Sequence, residues 1–258
     1  MEPSRDDKSI ERSRYESRAL QVLAEGVSRL VPAGAAGIAR ELREPYLVYE
    51  AFVQRHAQPG LRVLDLCCGN GQHSLTAARL GAQVTVSDIA PHNVELARAR
   101  AQAAGLSVEG VVADAESLPF GPDAFDVVTM AGSLSYVDLE TFLGELRRVL
   151  RPGGAFIFVD SLNHNPIYRF NRWRHYRRGE RSLSTLQRMP TLATLQRLRQ
   201  DFPDLQVSFH GILTFLAPGL RLLGPERAAR CLAWSDRLLA PGRRFAFKVV
   251  GVGHARPR

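Results

Sequence analysis

Lysine is almost missing from this 258-residue chain: Lys8 and Lys248 are the only two, so nearly all of its 34 basic residues are arginines. Arginine presents a planar fork of donors that suits phosphate or carboxylate, although plain solvated charge fits the same bias. Long apolar runs are missing too. None approaches the roughly 20 residues of a membrane-spanning helix, and the opening MEPSRDDKSIERSRYESRAL has no apolar stretch of the secretory kind. A cytoplasmic location is the expectation. Cysteine is scarce: Cys67 and Cys68 are adjacent and Cys231 is remote. That spacing suits buried thiols, not a disulfide framework or a zinc site, so no metal is expected. Internal repeats and low-complexity tracts are also lacking.

What is present is an ordinary globular composition, 45% apolar and 23% charged, with enough length for a substantial core. The charge is unevenly placed. Residues 161–258 hold 18 of the 34 cations but only 5 of the 26 acids.

The chain is organised around Val63-Leu-Asp-Leu-Cys-Cys-Gly-Asn-Gly-Gln-His-Ser74. A short apolar run ends at Asp65, passes through a Gly-x-Gly turn and enters a helical pattern. This is how a buried parallel strand, a tight turn and a helix N-terminus read. The glycines let the backbone approach a ligand closely, and the free N–H groups of the helix face the same space. Ala82–Asp88 reads as a second strand ending in an acid, Asp88, 17 residues beyond Gly71. A carboxylate there can accept both hydroxyls of a ribose. Val108–Ala113 is a third strand followed by Asp114, Phe125–Met130 a fourth and Ala155–Asp160 a fifth. Helices are expected over Gln72–Leu80, from Pro91 to Ala104, with Arg98 and Arg100 on its polar side, and over Asp138–Leu150, where Arg151-Pro-Gly-Gly stops the last. Strands alternating with helices call for a parallel sheet with ligands at its carboxyl ends.

With Leu146-Arg-Arg-Val-Leu-Arg-Pro-Gly-Gly-Ala before the fifth strand, residues 60–160 resemble the class I S-adenosylmethionine-dependent methyltransferases. The resemblance implies S-adenosylmethionine as cofactor. Asp65, Cys67, Gly69, Asn70 and Gly71 are then expected about its methionine part, Asp88 at the ribose, Ile89, Asp114 and Ala115 at the adenine, and Met130 or Ala131 beside the sulfonium. A nicotinamide dehydrogenase is the structural competitor, but its fingerprint wants a third glycine where this chain has Ser74.

Outside that core, residues 1–20 read as a mobile or loosely helical arm, Leu20–Leu30 as a helix broken by Pro32, and Ile38–Ala57 as a helix containing or bounded by Pro45. Together, residues 1–58 are expected to form an arm and a helical lid, with Tyr46 and Tyr49 as candidate substrate contacts. Residues 59–160 are the expected cofactor-binding core. Residues 161–258 are expected to bring a basic substrate-side segment, cap helices and two last strands, Leu205–Gly211 and Phe245–Val252. The fold expected is α/β: a doubly wound, mostly parallel, Rossmann-like sheet of seven strands with a helical insertion near the C-terminus. Ser161–Arg178 interleaves arginines, aromatics and amides just past the fifth strand, which makes Arg169 and Arg172 candidate substrate contacts. His164 is the candidate general base and Tyr136 a candidate for orienting the acceptor. A small, anionic or glycan-like acceptor methylated on oxygen is the reading favoured by these residues. RNA is the alternative, from the basic segment with its aromatics, and a non-catalytic cofactor- or partner-binding protein is the third. Oligomeric state is not written in the sequence.

Overall fold

The computed structural model describes residues 5–26, 34–179 and 182–256. Of the two expectations for the charged N-terminal stretch, the helical one holds from Arg5: it is one continuous helix, α1 (Arg5–Glu25). It lacks an apolar stripe, so its period is hard to read. It is held instead by polar contacts to distant parts of the chain: Lys8 to Asp114, Tyr15 to Tyr136 and Glu16 to His92. The rest of the expected Leu20–Leu30 helix, from residue 27, and its Pro32 breaker lie outside the described residues. α2 (Glu44–His56) starts later than expected, with Pro45 in its first turn, where a missing N–H costs nothing. Short 3-10 turns at Gly34–Gly37 and Arg40–Leu42 precede it.

The alternating region runs β1 (Arg62–Leu66), α3 (Leu75–Arg79), β2 (Gln83–Asp88), α4 (Pro91–Ala103), β3 (Glu109–Val112), β4 (Phe125–Ala131), α5 (Leu139–Val149) and β5 (Leu150–Ser161). α3 is shorter than expected because residues 69–74 stay in turns around Gly69 and Gly71, both at positive φ. Asp138 caps α5 by accepting the Thr141 N–H at 3.1 Å, an arrangement that stabilises a helix by about 1 kcal/mol. Arg151-Pro-Gly-Gly does not precede the fifth strand but lies inside it. Leu150 pairs with Phe125, and the register shifts before Val127 meets Ala155. The remaining elements are α6 (Pro166–Arg177), α7 (Leu183–Gln187), α8 (Leu192–Asp201), β6 (Gln206–His210), α9 (Ala217–Leu220), α10 (Pro225–Leu238) and β7 (Lys248–His254).

The strands form one seven-stranded sheet in the order β3-β2-β1-β4-β5-β7-β6. β7 is antiparallel to both of its neighbours, and the other pairs are parallel. Strand order reverses between β1 and β4, which leaves a crevice at their carboxyl ends. β5 is buried on both faces, so its alternate side chains serve two cores. Phe156 and Phe158 pack with Phe142 of α5 and Phe202 after α8. Ile157 and Val159 pack with Tyr49 of α2 and Val94 of α4 on the other side.

Gly71 sets how closely the turn after β1 meets α4. A Cβ placed there lies 2.7 Å from the Cα of Ala97, and φ is +68°. Gly71→Ala is expected to lower the unfolding free energy by about 2–4 kcal/mol, from left-handed strain plus overpacking. Gly105, also left-handed but facing open space, is the control; Gly105→Ala should cost only about 1 kcal/mol. Thermal unfolding of the two variants separates the contributions.

Candidate functional site

The carboxyl ends of β1, β2 and β4 open onto a cavity of about 590 Å³ roofed by α1. At its floor the chain turns through Cys67-Cys68-Gly69-Asn70. Cys67 holds a positive φ of 52°, a conformation that a side chain adopts only at some cost in strain. A Cβ on Gly69 meets nothing within 4 Å, so its absence keeps the floor open.

Two buried carboxylates flank this floor. Asp65 accepts hydrogen bonds from Thr129 Oγ1 at 2.8 Å and from Ser74 Oγ. Burial pushes its pKa up to about 6, against the pull of those two donors and with a contribution from Asp88. Asp88 accepts the N–H groups of Gly69 at 3.0 Å and Ala90 at 2.9 Å, and burial raises its pKa as well. Asp114, past the end of β3, takes Lys8 Nζ at 2.7 Å. Ile89, Ala115, Ala131 and Tyr136 also line the cavity. Tyr136 shares a hydrogen bond with Tyr15 of the lid at 2.9 Å and accepts one from Arg14.

Several expected residues sit elsewhere. Gly71 packs on α4, not on the cavity. Met130 is fully buried in the core, because side chains on β4 alternate and only Ala131 reaches the crevice. Arg100 is not on the polar side of its helix. It is buried, and Nη1 donates to the carbonyl and side chain of Asn70 at 3.0 and 3.1 Å. Burial lowers its pKa to about 10. It pairs with the Asn70 carbonyl and shares Asn70 Oδ1 with the Gln72 N–H, which donates at 3.1 Å within the turn. Tyr49 is wholly buried in the core.

The expected basic wall past β5 does not form at this cavity. Asn165 caps α6 and donates to the carbonyls of Ile212 and Phe245, which leads the helix away. His164 lines neither cavity, and its Nε2 accepts the Leu192 N–H at 2.9 Å. Arg169 is exposed on α6, and Arg172 is buried with Nη1 on the Leu162 carbonyl at 2.9 Å.

A second cavity of about 520 Å³ lies between the N-terminal turns, α2 and α10, and it holds Tyr46. Gln72 and His73 line both cavities. Desolvation lowers the His73 pKa to about 4, with Lys248 and Arg100 adding to the effect, so the ring is neutral at pH 7. It stacks on Tyr46 at 5.3 Å with an interplanar angle of 4°. Its Nδ1 is buried with no hydrogen-bond partner among the described residues. Sequence reasoning passed over His73; its place two residues after Gly71 was the only available signal.

Residues 63–154 match the model of a family described as a methyltransferase domain. Over 102 residues the chain is 44% identical to a demethylmenaquinone methyltransferase of Thermus thermophilus, covering 38% of this chain and 46% of that protein. Over 108 residues it is 41% identical to a ubiquinone biosynthesis O-methyltransferase of Cereibacter sphaeroides, covering 42% and 43%. Residues 63–154 are thus similar to a methyltransferase domain over about a third of this chain. The match spans less than half the length of these curated relatives. Among solved structures, the [4+2]-cyclase SpnF superposes with a TM-score of 0.55 over 81% of this chain and 80% of its own, at 22% identity. That likeness shows the fold alone, so the reaction has to be argued from the site.

The methyltransferase core fits its family's cofactor. The floor at Gly69 is open, Asp88 lies at the end of β2 beside it, and Asp65 is a buried carboxylate whose hydrogen-bond donors are neutral hydroxyls. Ser74, where a dinucleotide site needs glycine, is committed to Asp65. A cationic ammonium near Asp65 requires the ionised carboxylate, which is lost as pH falls through about 6. Affinity for S-adenosylhomocysteine is therefore expected to be flat near pH 7–8 and to fall up to about tenfold per unit below pH 6. Calorimetric titration checks this, and Asp65→Asn should abolish the slope while weakening binding at pH 7.

Proposed function

We propose that the chain is a methyltransferase that methylates an oxygen of a small acceptor held in the second cavity. His73 carries this reading, because a neutral imidazole with an unpartnered buried nitrogen forms a wall shared by both cavities. Residues 59–160 bind the cofactor, the N-terminal 1–58 supply the lid, and 161–258 supply the acceptor side. The cofactor supplies a sulfonium-activated methyl group for in-line displacement.

The protein's share of the work is alignment and a proton. Asp88, Gly69 and Asp65 hold the cofactor at the floor, and Ala131 and Tyr136 bound its outer side. His73 is the base placed to take the proton of the acceptor hydroxyl; burial keeps its ring unprotonated at pH 7 at the cost of basicity, so a developing negative charge beside it has to stabilise the imidazolium. Tyr46, stacked on His73, presents a flat face to the second cavity. Lys248 stands over the Tyr46 and Phe247 rings, 5.4 Å from each centroid. An acceptor with a flat, unsaturated body and an acidic group suits that wall. With Pro45, Leu47 and Leu232 also lining it, the cavity matches a carbon skeleton better than a glycan. The two relatives, a demethylmenaquinone methyltransferase and a ubiquinone biosynthesis O-methyltransferase, support a phenolic or enolic acceptor.

Methyl-labelled S-adenosylmethionine incubated with protein and fractionated host extract tests the reading. Label in a small-molecule fraction is expected. Ribonuclease-sensitive label, or none in any fraction, overturns it. With the acceptor in hand, His73→Gln should lower kcat by about 10²–10³ while leaving S-adenosylhomocysteine affinity unchanged. Lys248→Met should raise KM for an acidic acceptor about tenfold with little change in kcat.

A further inference from the structure

The cap from Arg221 to Phe245 has two faces of different character. Inward, Ala229, Leu232, Ala233 and Asp236 of α10 wall the second cavity. Asp236 also accepts the N–H groups of Gly211 and Ile212 at 2.7 and 2.9 Å, which pins the helix to the end of β6. Outward, Arg227, Arg230, Trp234, Arg237 and Leu238 recur at three- and four-residue spacing and are all exposed. Leu222 is 91% exposed, Trp234 64% and Leu238 57%. Leu223 before the helix, and Leu239 and Phe245 after it, extend this apolar face, and Arg243 and Arg244 add to its basic rim.

Burying so many large apolar groups inside the protein is the usual outcome, so their joint exposure on one cap marks a surface made for contact. The carboxylates of the segment are turned elsewhere: Glu226 pairs with Arg40 at 2.9 Å and Asp236 faces inward. A second copy docking by two-fold symmetry would set these arginines against each other. An anionic lipid surface meets both features at once, with Trp and Leu entering the headgroup boundary and arginines on phosphate. No helix among the described residues is long and apolar enough to cross a membrane.

We infer that the outer face of α10, with Leu222 and Leu223, docks this protein peripherally on an anionic lipid bilayer. The helix that rests on lipid is also the one that walls the second cavity. Docking is read without methyl transfer, so it stands or falls separately from the proposed reaction.

The test uses the full chain with vesicles of phosphatidylcholine alone and of phosphatidylcholine mixed equally with phosphatidylglycerol. Co-sedimentation is expected to be at least about tenfold stronger on the anionic vesicles. Trp173→Phe leaves Trp234 as the one tryptophan, and its emission should shift to the blue on those vesicles only. Trp234→Ser with Leu238→Ser should weaken binding at least tenfold. Replacing Arg227, Arg230 and Arg237 by Gln should remove the anionic preference, a change of about a hundredfold. Thermal unfolding confirms that each variant is folded. No sedimentation of the unaltered chain, or equal sedimentation of the variants, overturns the inference. So does a dimer that Trp234→Ser dissociates, which makes a second copy the occupant, and so does salt-sensitive binding of single-stranded RNA through the same arginines in place of vesicles.

Discussion

Buried negative charge at the end of β1 is the constraint on which the rest of the site depends. Asp65 and Asp88 sit in a low-dielectric crevice, and their hydrogen bonds come from hydroxyls and backbone N–H groups. Such donors offset part of the cost of desolvating a carboxylate but leave its charge unneutralised. The raised pKa of Asp65 is the sign of that residual cost. A ligand carrying a positive charge relieves it. The ligand-free floor is thus destabilised in the way that favours occupation by a sulfonium- and ammonium-bearing cofactor.

Everything around the floor serves to hold its shape. Gly71 brings the turn onto α4, Arg100 satisfies the acceptors of Asn70, and Ser74 and Thr129 fix the Asp65 carboxylate. These contacts bind residues 65–74 to two neighbouring elements, α4 and β4, so the loop is a rigid part of the sheet's edge. Rigidity matters for methyl transfer, because alignment at near-attack distance provides much of the rate. α1 then encloses the cavity through polar contacts that water can compete for, which suits a lid.

The second cavity gives the chain its individuality. Its walls come from the N-terminal turns, α2, β7 and α10, most of which lie outside the part shared with the curated relatives. His73 and Gln72 are the link between the common core and this private space. A floor inside the segment matched by the relatives, joined to a second cavity built largely outside it, is an arrangement by which one fold can serve many acceptors. It also explains why the arginines past β5 do not make that wall. Asn165, by capping α6 and gripping two carbonyls, turns them outward.

Local signals carried the sheet. Buried strands with acids at their ends, Gly-x-Gly and Pro91 act within a few residues, and the order of the strands follows from right-handed crossovers. These made the α/β architecture and several residues that line the first cavity legible, among them Asp65, Asp88 and Asp114. Period two also implied that Met130 and Ala131 cannot both face the crevice, although not which of them does. By itself, then, the sequence determined a doubly wound sheet and a nucleoside-cofactor floor, since both rest on short-range periodicity and turn chemistry. Tertiary structure decided that α1 roofs the first cavity, that His73 and not His164 lines it, that Tyr49 and Arg172 are internal supports, and that α10 leaves Trp234 exposed. Each of those outcomes depends on contacts between residues tens of positions apart, and the direction in which a side chain points after a loop is set by the packing of its distant neighbours.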